Sequence, residues 1–143
     1  LTYTDKDNIE RTPVVIHRAI LGSLDRFMAY LIEETMGAFP TWLAPVQVQI
    51  LPITDRAKEY GESILAALKE KGVRAEIDNR NEKIGYKIRE HKIQKVPYLV
   101  IIGDNEVANG TITVNSYKKG DLGNSTLDAF LEMLTEEITK RLR

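Results

Sequence analysis

The chain has 143 residues, the size of one domain or of one domain with an attached segment. Its net charge is −1, so any anion-binding site must be a local patch and not a property of the whole surface. The absence of cysteine excludes disulfides, thiolate zinc sites and cysteine nucleophiles within these residues. No signal-peptide layout and no long apolar run are present, which predicts a soluble, cytoplasmic protein.

The first predicted elements are a strand and a helix. Residues 12–20, TPVVIHRAI, are rich in β-branched side chains and predict the strand. The helix is indicated by apolar side chains at i, i+3, i+4, i+7 and i+8, namely Leu24, Phe27, Met28, Leu31 and Ile32. Ser23 is its expected N-cap and Gly37 its expected C-cap. One strand and one helix cannot bury both of their faces, so a larger sheet is expected around them.

A linker is predicted at residues 38–45, where Pro40 and Pro45 bracket Trp42. The tryptophan is expected to pack against its own domain. The chain is accordingly divided into residues 1–37, the linker, and a second domain over 46–143.

The second domain alternates strands and helices. Strands are predicted at 46–51, 73–78, 96–102 and 111–116, helices at 55–71 and 82–94, and a last helix from Ser125 with a capping-box arrangement. Asn109-Gly110 predicts a hairpin turn, and Asn81 is expected to cap the second helix. Strands separated by helices and then a hairpin indicate an α/β fold with a mixed, mainly parallel sheet flanked by helices.

The catalytic signal from residue types alone is weak. The two histidines, His17 and His91, lie far apart, and no metal-spaced cluster or phosphate-binding glycine motif is present. On its own, His17 is better explained as a strand residue whose imidazole is hydrogen-bonded within the protein than as a metal ligand. The stretch from Gly22 to Arg26 offers free amides and a guanidinium at a helix start, which can hold phosphate, or it is an ordinary corner with a solvated arginine.

A basic stretch begins at residue 80, RNEKIGYKIREHKIQK. Its lysine and arginine side chains form either a solvated helix face or a surface that binds an anion. Glu106, Thr113 and Asn115 are expected to point outward nearby, where carboxylate and amide groups can read base edges. A basic helix positions phosphates, and polar side chains read bases. If the stretch is a surface for an anion, the expected ligand is therefore single-stranded RNA.

Four blocks together identify a family: TPVVIHRAILGSLDRF, FPTWLAPVQV, RNEKIGYKIREH and KVPYLVIIGDNEV. They resemble the C-terminal end of a bacterial-type threonyl-tRNA synthetase, in the same order and over essentially the whole chain. The resemblance implies that residues 1–37 end a class II catalytic domain with its third sequence motif. It implies that 46–143 are the anticodon-binding domain, with a mixed, mainly parallel five-stranded sheet flanked by three helices.

The resemblance also assigns roles in the first segment. His17 falls where the family places a histidine ligand of the active-site zinc. Arg26 matches the arginine of the third motif that contacts ATP, with Asp25 in the place of an acidic residue before it. Ser23 lies beside the substrate pocket in that comparison. The remaining zinc ligands lie upstream in the family, so this chain alone is expected to be inactive and to bind no zinc tightly.

In the second domain, Asn81, Arg89 and Glu106 match positions that the family uses on the anticodon loop. Asn115 departs from the pattern, because an arginine is expected there, and its absence is expected to weaken binding. The lysines expected to supply charge to phosphates are Lys83, Lys87, Lys92, Lys118 and Lys119.

The implied partner is the anticodon loop of threonine tRNA. For the whole enzyme the resemblance implies threonine–tRNA ligase activity with threonine, ATP, magnesium and zinc, and a homodimer formed through the catalytic domain. Two alternatives stay open. The chain can be a non-enzymatic RNA-binding or protein-docking module without anticodon specificity, or the apolar face around Phe27 and Met28 can drive self-association.

Overall fold

The computed structural model describes residues 1–142. These residues form two compact units, the first over Leu1–Leu31 and the second from Ile32 onward. The predicted domain boundary at residues 38–45 stays a prediction. None of the helices in the described part of the chain is long and apolar enough to cross a bilayer.

The first unit begins with a small antiparallel pair, β1 (Tyr3–Thr4) and β2 (Glu10–Arg11). Asp5 closes the turn between them, because its Oδ1 accepts the amide N–H groups of Asp7 at 2.8 Å and Ile9 at 3.1 Å. The bond from Arg11, followed by these backbone bonds, holds the pKa of Asp5 below its usual value. A local polar turn therefore organises this segment.

The strand predicted at residues 12–20 is wrong, since these residues pair with no strand among residues 1–142. Their β-branched side chains are largely exposed, Val14 at 89% and Ile16 at 82%. A strand is stabilised by its neighbours in a sheet, so β-branched composition without a pairing strand leaves extended chain.

The predicted helix forms as α1 (Leu24–Thr35). The carbonyl of Ser23 accepts the first helical bond, from the N–H of Phe27 at 3.0 Å, which places Ser23 at the N-cap. Gly37 has φ +74° and donates to the carbonyl of Ile32 at 2.9 Å, as expected for a residue that ends a helix.

The second unit is an α/β fold with a five-stranded mixed sheet, as predicted, but its described residues form four helices instead of the three that the resemblance implied. Its elements are β3 (Val48–Pro52), α2 (Arg56–Glu70), β4 (Ala75–Ile77), α3 (Ile84–Ile93), β5 (Tyr98–Ile102), α4 (Asp104–Asn109), β6 (Ile112–Ser116), β7 (Gly120–Ser125) and α5 (Leu127–Thr139). The strand order is β4-β3-β5-β6-β7, and β3 is parallel to both β4 and β5. The ladders β5–β6 and β6–β7 are antiparallel; α4 connects the first pair of strands, and a hairpin connects the second.

Each face of the sheet has its own apolar layer. On the first face, Val48, Ile50, Val100 and Val114 are buried with residues of α2 and α5, including Ile64, Leu68, Phe130 and Leu134. On the second face, Leu51, Val96 and Leu99 are buried with Ile84 and Ile88 of α3 packed against them. Because β3 and β5 are covered on both faces, their residues are largely buried; β5 is apolar throughout, whereas β3 also buries Gln49.

Trp42 packs within the second unit, as predicted. Its carbonyl accepts a bond from Arg74 Nη2 at 2.9 Å, and the guanidinium of Arg141 lies 5.8 Å from the ring centre. The ring is half-buried.

The hairpin predicted at Asn109-Gly110 is wrong. These residues end α4, where Gly110 adopts φ +65° as the helix C-cap. A left-handed glycine serves a helix end as well as a tight hairpin turn, so the dipeptide does not distinguish them. The hairpin lies instead at residues 117–119, between β6 and β7.

Two predicted caps also lie elsewhere. Thr126 rather than Ser125 caps α5, with its hydroxyl accepting the N–H of Ala129. The residue before α3 is Lys83, not Asn81, and it makes no side-chain cap bond.

Candidate nucleic-acid interface

The second face of the sheet is covered by α3 over only part of its width. Strand register places Thr113 opposite Ile101 and Asn115 opposite Leu99, so these polar residues continue the face that α3 covers with apolar ones. On β7, Asn124 is opposite Thr113 and Asp121 is opposite Asn115. We call these four residues of β6 and β7 the open sheet face. It offers carboxylate, amide and hydroxyl groups.

A β-bulge bends the open sheet face between Val114 and Asn115, where β7 contains one residue more than β6. Gly123 allows it with φ +77°. The Oδ1 atom of Asn115 is buried and has no hydrogen-bond partner. An unpaired buried acceptor is costly, so this amide is the least satisfied group of the surface.

Helix α3 presents two different flanks. Towards the end of β4, Lys87 Nζ donates to the carbonyl of Asp78 at 2.9 Å, and Glu90 accepts from Arg80 Nη2 at 2.5 Å. Since successive residues turn by about 100°, Lys92 lies on the flank opposite to Lys87 and Glu90, and Arg89 lies between that flank and solvent. Both side chains are on exposed residues. The exposed cations of α3 therefore lie away from the flank that faces Asp78.

The other flank of α3 is closed by a buried carboxylate. Asp78 Oδ1 accepts Arg80 Nε at 3.0 Å, and Oδ2 accepts Arg80 Nη2 at 2.7 Å and lies 3.1 Å from His91 Nε2. The bonds from Arg80, then those from His91 and the nearby Lys87 ammonium, hold the pKa of Asp78 far below its usual value against the opposing effect of burial. We call Asp78, Arg80, Lys87, Glu90 and His91 the Asp78 cluster.

The Asp78 cluster sets the path of the loop that follows β4. The amide N–H of Arg80 also donates to Asp78 Oδ1, at 3.1 Å, which closes a turn directly before Asn81. Asn81 is exposed on this loop. The carboxylate thus fixes both the start of α3 and the segment that presents Asn81.

The expected exposure of Lys87 is wrong. Lys87 is 3% exposed and directs its ammonium to Asp78, so it does not face a ligand. The spacing of charges within residues 83–92 could not show this, because the partner lies nine residues upstream in another element. Lys83 and Lys92 are exposed, as expected.

Glu106 lies in the first turn of α4, at the border of the open sheet face. Its carboxylate accepts the amide N–H of Gly103 at 2.8 Å and the hydroxyl of Thr113 at 2.9 Å. Burial raises the pKa of Glu106, but these bonds together outweigh it and keep that pKa below its usual value. The carboxylate is an ionised acceptor held in a defined place. The Thr113 oxygen also lies 2.6 Å from the side-chain amide of Asn124.

Asn81 and Glu106 lie along one edge of the sheet, at the carboxyl ends of β4 and β5. Asn81 lines a polar cavity of about 170 Å³ there, together with Thr54 and Lys58. The Thr54 hydroxyl donates to Asp104 at 2.9 Å, which connects this cavity to α4. Thr54 and Lys58 were not predicted from the sequence, although ligands commonly bind outside the carboxyl ends of parallel strands.

The site residues predicted in the first unit do not form a cluster. His17, Ser23 and Arg26 are all exposed. Among residues 1–142, no group of three or more acidic, histidine or cysteine side chains is placed to hold a metal ion. Their catalytic and metal-binding roles stay predictions.

The second unit is therefore an α/β fold in which β6 and β7 present polar residues on the sheet face that α3 covers only in part. Residues 47–137 match the family model described as Anticodon binding domain, and the chain belongs to this family. It is 52% identical over 142 residues to the threonine–tRNA ligase of Clostridium tetani and 49% identical over 142 residues to that of Syntrophomonas wolfei. Each alignment covers 99% of this chain and 22% of the relative, so the chain spans about a fifth of their length.

Solved structures agree with this assignment. The RNA binding domain of threonyl-tRNA synthetase from Cryptosporidium parvum matches with a TM-score of 0.76 and 33% identity, over 95% of this chain and 34% of that one. A prolyl-tRNA synthetase from the same organism matches with a TM-score of 0.62 at 23% identity, over 73% of this chain and 24% of that one, which supports the fold alone.

Proposed function

We propose that the second unit binds the anticodon loop of threonine tRNA on the open sheet face. The observation that carries the proposal is the half of the sheet that α3 leaves uncovered, where β6 and β7 present polar residues and Thr113 donates its hydroxyl to Glu106. The similarity to threonine–tRNA ligases supports the choice of RNA.

The chemistry of the surface suits unstacked bases. The Glu106 carboxylate accepts an amino hydrogen from a base, whereas the exposed amides of Asn81 and Asn124 can pair with a base edge through both a donor and an acceptor. Arg89 and Lys92 offer donors to phosphates or, for Arg89, a plane to stack on a base. Only single-stranded bases expose these edges, so a loop is the fitting ligand.

For the longer protein, we infer threonine–tRNA ligase activity in the cytoplasm, with threonine and ATP as substrates and a homodimer as the assembly. ATP with magnesium supplies the activation of the amino acid. Arg26 is the group in this chain that would contact ATP, and Ser23 would lie beside the substrate.

The described residues do not by themselves fit a zinc site or an ATP site. Among residues 1–142, the exposed His17 belongs to no group of three or more potential metal ligands, and Arg26 is exposed. Four-coordinate zinc needs three or four protein ligands. We therefore derive no reaction step through either group from this chain.

The test is titration of the 143-residue chain with a threonine-tRNA anticodon stem-loop and with a scrambled loop, at two salt concentrations. Anticodon reading is supported if the chain binds the cognate loop more tightly than the scrambled loop and if the Glu106→Gln variant loses this preference. Glu62→Gln on the exposed surface of α2 is the matched control, because it removes the same charge from a residue that borders neither the open sheet face nor its edge.

Equal binding of both loops with a steep salt dependence would instead support a general RNA-binding module. The alternative of a protein-docking module predicts no measurable affinity for either loop.

A further inference from the structure

Glu106 is held at both of its carboxylate oxygens by groups from two different elements. Its Oε2 accepts the backbone N–H of Gly103 at 2.8 Å, at the start of α4, and its Oε1 accepts the hydroxyl of Thr113 at 2.9 Å, on β6. A single bond leaves a carboxylate free to rotate about its last torsion, whereas bonds to both oxygens fix its plane. Each oxygen keeps an acceptor position for a ligand, because an ionised carboxylate offers about four of them.

The start of α4 explains only the first of these bonds. Glu106 is the third residue of the helix, where a carboxylate commonly accepts the amide N–H of the residue before the helix. Thr113 lies on β6, and its hydroxyl bonds side chains and not the helix backbone. The capping arrangement therefore does not account for the bond from Thr113, whose effect is to fix the orientation of the carboxylate.

The absence of a side chain at residue 103 is a separate observation. The backbone of Gly103, with φ −113° and ψ −172°, is extended and accessible to any residue, so its conformation does not require glycine. A Cβ atom at this position would lie 3.0 Å from Glu106 Oε2 and 3.3 Å from Ile53 Cδ1, closer than ordinary van der Waals contact. Glycine thus gives the carboxylate room to lie directly against the backbone.

The hydroxyl of Thr113 has a second neighbour, since its oxygen lies 2.6 Å from Asn124 Oδ1. A hydroxyl carries one hydrogen and cannot donate to both oxygens at once. The ionised carboxylate of Glu106 is the stronger acceptor, and a half-turn of the Asn124 amide brings its NH2 group to the hydroxyl oxygen instead. The Thr113 hydrogen is therefore directed at Glu106.

We propose that Thr113 and Gly103 are positioning residues for the base-reading carboxylate of Glu106, so that both determine how well the chain distinguishes one loop from another. This inference rests on the proposed function. Gly103 gives the carboxylate its place, and Thr113 fixes its plane. Because hydrogens bind a carboxylate oxygen near the plane of the group, a fixed plane accepts amino hydrogens from a defined direction and disfavours a base whose donors lie elsewhere.

The test is the preference of the 143-residue chain for the threonine-tRNA anticodon stem-loop over the scrambled loop, expressed as the ratio of the two dissociation constants. A variant that only lowers the folded fraction weakens both loops by the same factor and leaves this ratio unchanged. Thr113→Val replaces the hydroxyl by a methyl group and is expected to lower the preference by about three- to tenfold, the factor for one hydrogen bond. Thr113→Ser keeps the hydroxyl and is expected to keep the preference.

The matched control is Thr135→Val, which removes an exposed hydroxyl from α5, on the other face of the sheet. It is expected to leave the preference unchanged. Gly103→Ala adds the Cβ atom that would displace Glu106 Oε2, and it is expected to lower the preference as Thr113→Val does.

A double variant tests whether Thr113 acts through Glu106. Thr113→Val/Glu106→Gln is expected to bind the cognate loop no more weakly than Glu106→Gln alone, because no carboxylate is left to position. If Thr113→Val weakens the cognate loop by the same factor with and without Glu106→Gln, Thr113 acts independently of Glu106 and the inference is overturned.

The remaining outcomes separate the inference from the proposed function. An unchanged preference in Thr113→Val, in a chain that prefers the cognate loop, overturns the inference and leaves the proposed function intact. An equal loss in Thr113→Ser also overturns it, because the hydroxyl would then not be the group that matters. A parent chain that binds both loops equally overturns the proposed function, and the inference with it.

Discussion

The two halves of the sheet's second face follow the same alternation of side chains but have opposite surfaces. Under α3, β3 and β5 present Leu51 and Leu99, which are buried. Beyond α3, β6 presents Thr113 and Asn115, while its other side still buries Ile112 and Val114 in the first core layer. Where a helix covers the second face of the sheet, the strand presents apolar side chains there. Where no helix covers it, the strand presents polar side chains that are available to a ligand.

The same contrast is repeated on the two flanks of α3. The flank towards the end of β4 directs its charges internally to Asp78, and the rest of the helix surface leaves Arg89 and Lys92 exposed. Substitutions on the covered side should therefore change stability, and substitutions on the open side should change binding.

The largest effect is expected from Asp78→Ala. It leaves the buried Lys87 ammonium without its carboxylate, and it should lower the free energy of unfolding by about 3 kcal/mol or more. Urea denaturation measures this. Glu76→Ala, an exposed carboxylate on the same edge strand, should change it by less than about 0.5 kcal/mol. Equal effects would show that the Asp78 cluster is not a structural centre.

Leu99→Ala should lower the free energy of unfolding by about 3 kcal/mol, because it opens a cavity beneath α3. Leu122→Ala on β7, where the side chain is 41% exposed, is the control and should cost well under about 1 kcal/mol. If Leu122→Ala lowered the free energy of unfolding as much as Leu99→Ala, the second side of β7 would be covered and not open to a ligand.

The pH dependence of stability should report the Asp78 cluster. The bonds from Arg80, followed by those from His91, lower the pKa of Asp78 in the folded state, so the folded chain binds fewer protons than the unfolded one. This contribution is present above about pH 4 and disappears as the pH falls towards the folded-state pKa. The free energy of unfolding, measured by denaturation, should therefore differ less between roughly pH 5 and pH 3 in Asp78→Asn than in the parent chain.

Arg89→Ala should weaken binding of the cognate stem-loop by about 1–3 kcal/mol, the range for one good base-reading interaction, and leave unfolding unchanged. Fluorescence titration measures the affinity. Lys69→Ala, another exposed cation that does not border the open sheet face, is the control. Equal weakening by both variants would mean that only total charge matters.

The smallest effect is expected from Asn115→Arg, which restores the guanidinium that the family resemblance predicts at this position. The affinity for the cognate loop should rise by about 1 kcal/mol or somewhat less, since the arginine adds donors to the open sheet face. Isothermal titration with both loops measures it. Unchanged affinity would show that the RNA does not reach this part of β6.

Several elements could be predicted because their signal is local. The stripes of apolar residues in α2 and α5 and the continuous apolar run of β5 are properties of neighbouring residues, and all three formed as expected. Candidates such as Arg89 and Glu106 required the family resemblance, since their residue types alone do not distinguish an interface from a solvated surface. Where the local signal was ambiguous, as at Asn109-Gly110, the prediction was wrong.

The amino-acid sequence by itself determined the α/β class, the main helices and strands, and the family to which the chain belongs. Only the tertiary structure decided which charges remain available to a ligand. Lys87 and Lys92 are equally basic in the sequence, yet one is buried against Asp78 and the other is exposed. The partner of a charged side chain comes from a distant element, and burial without such a partner is too costly to persist, so the pairing is a property of the fold.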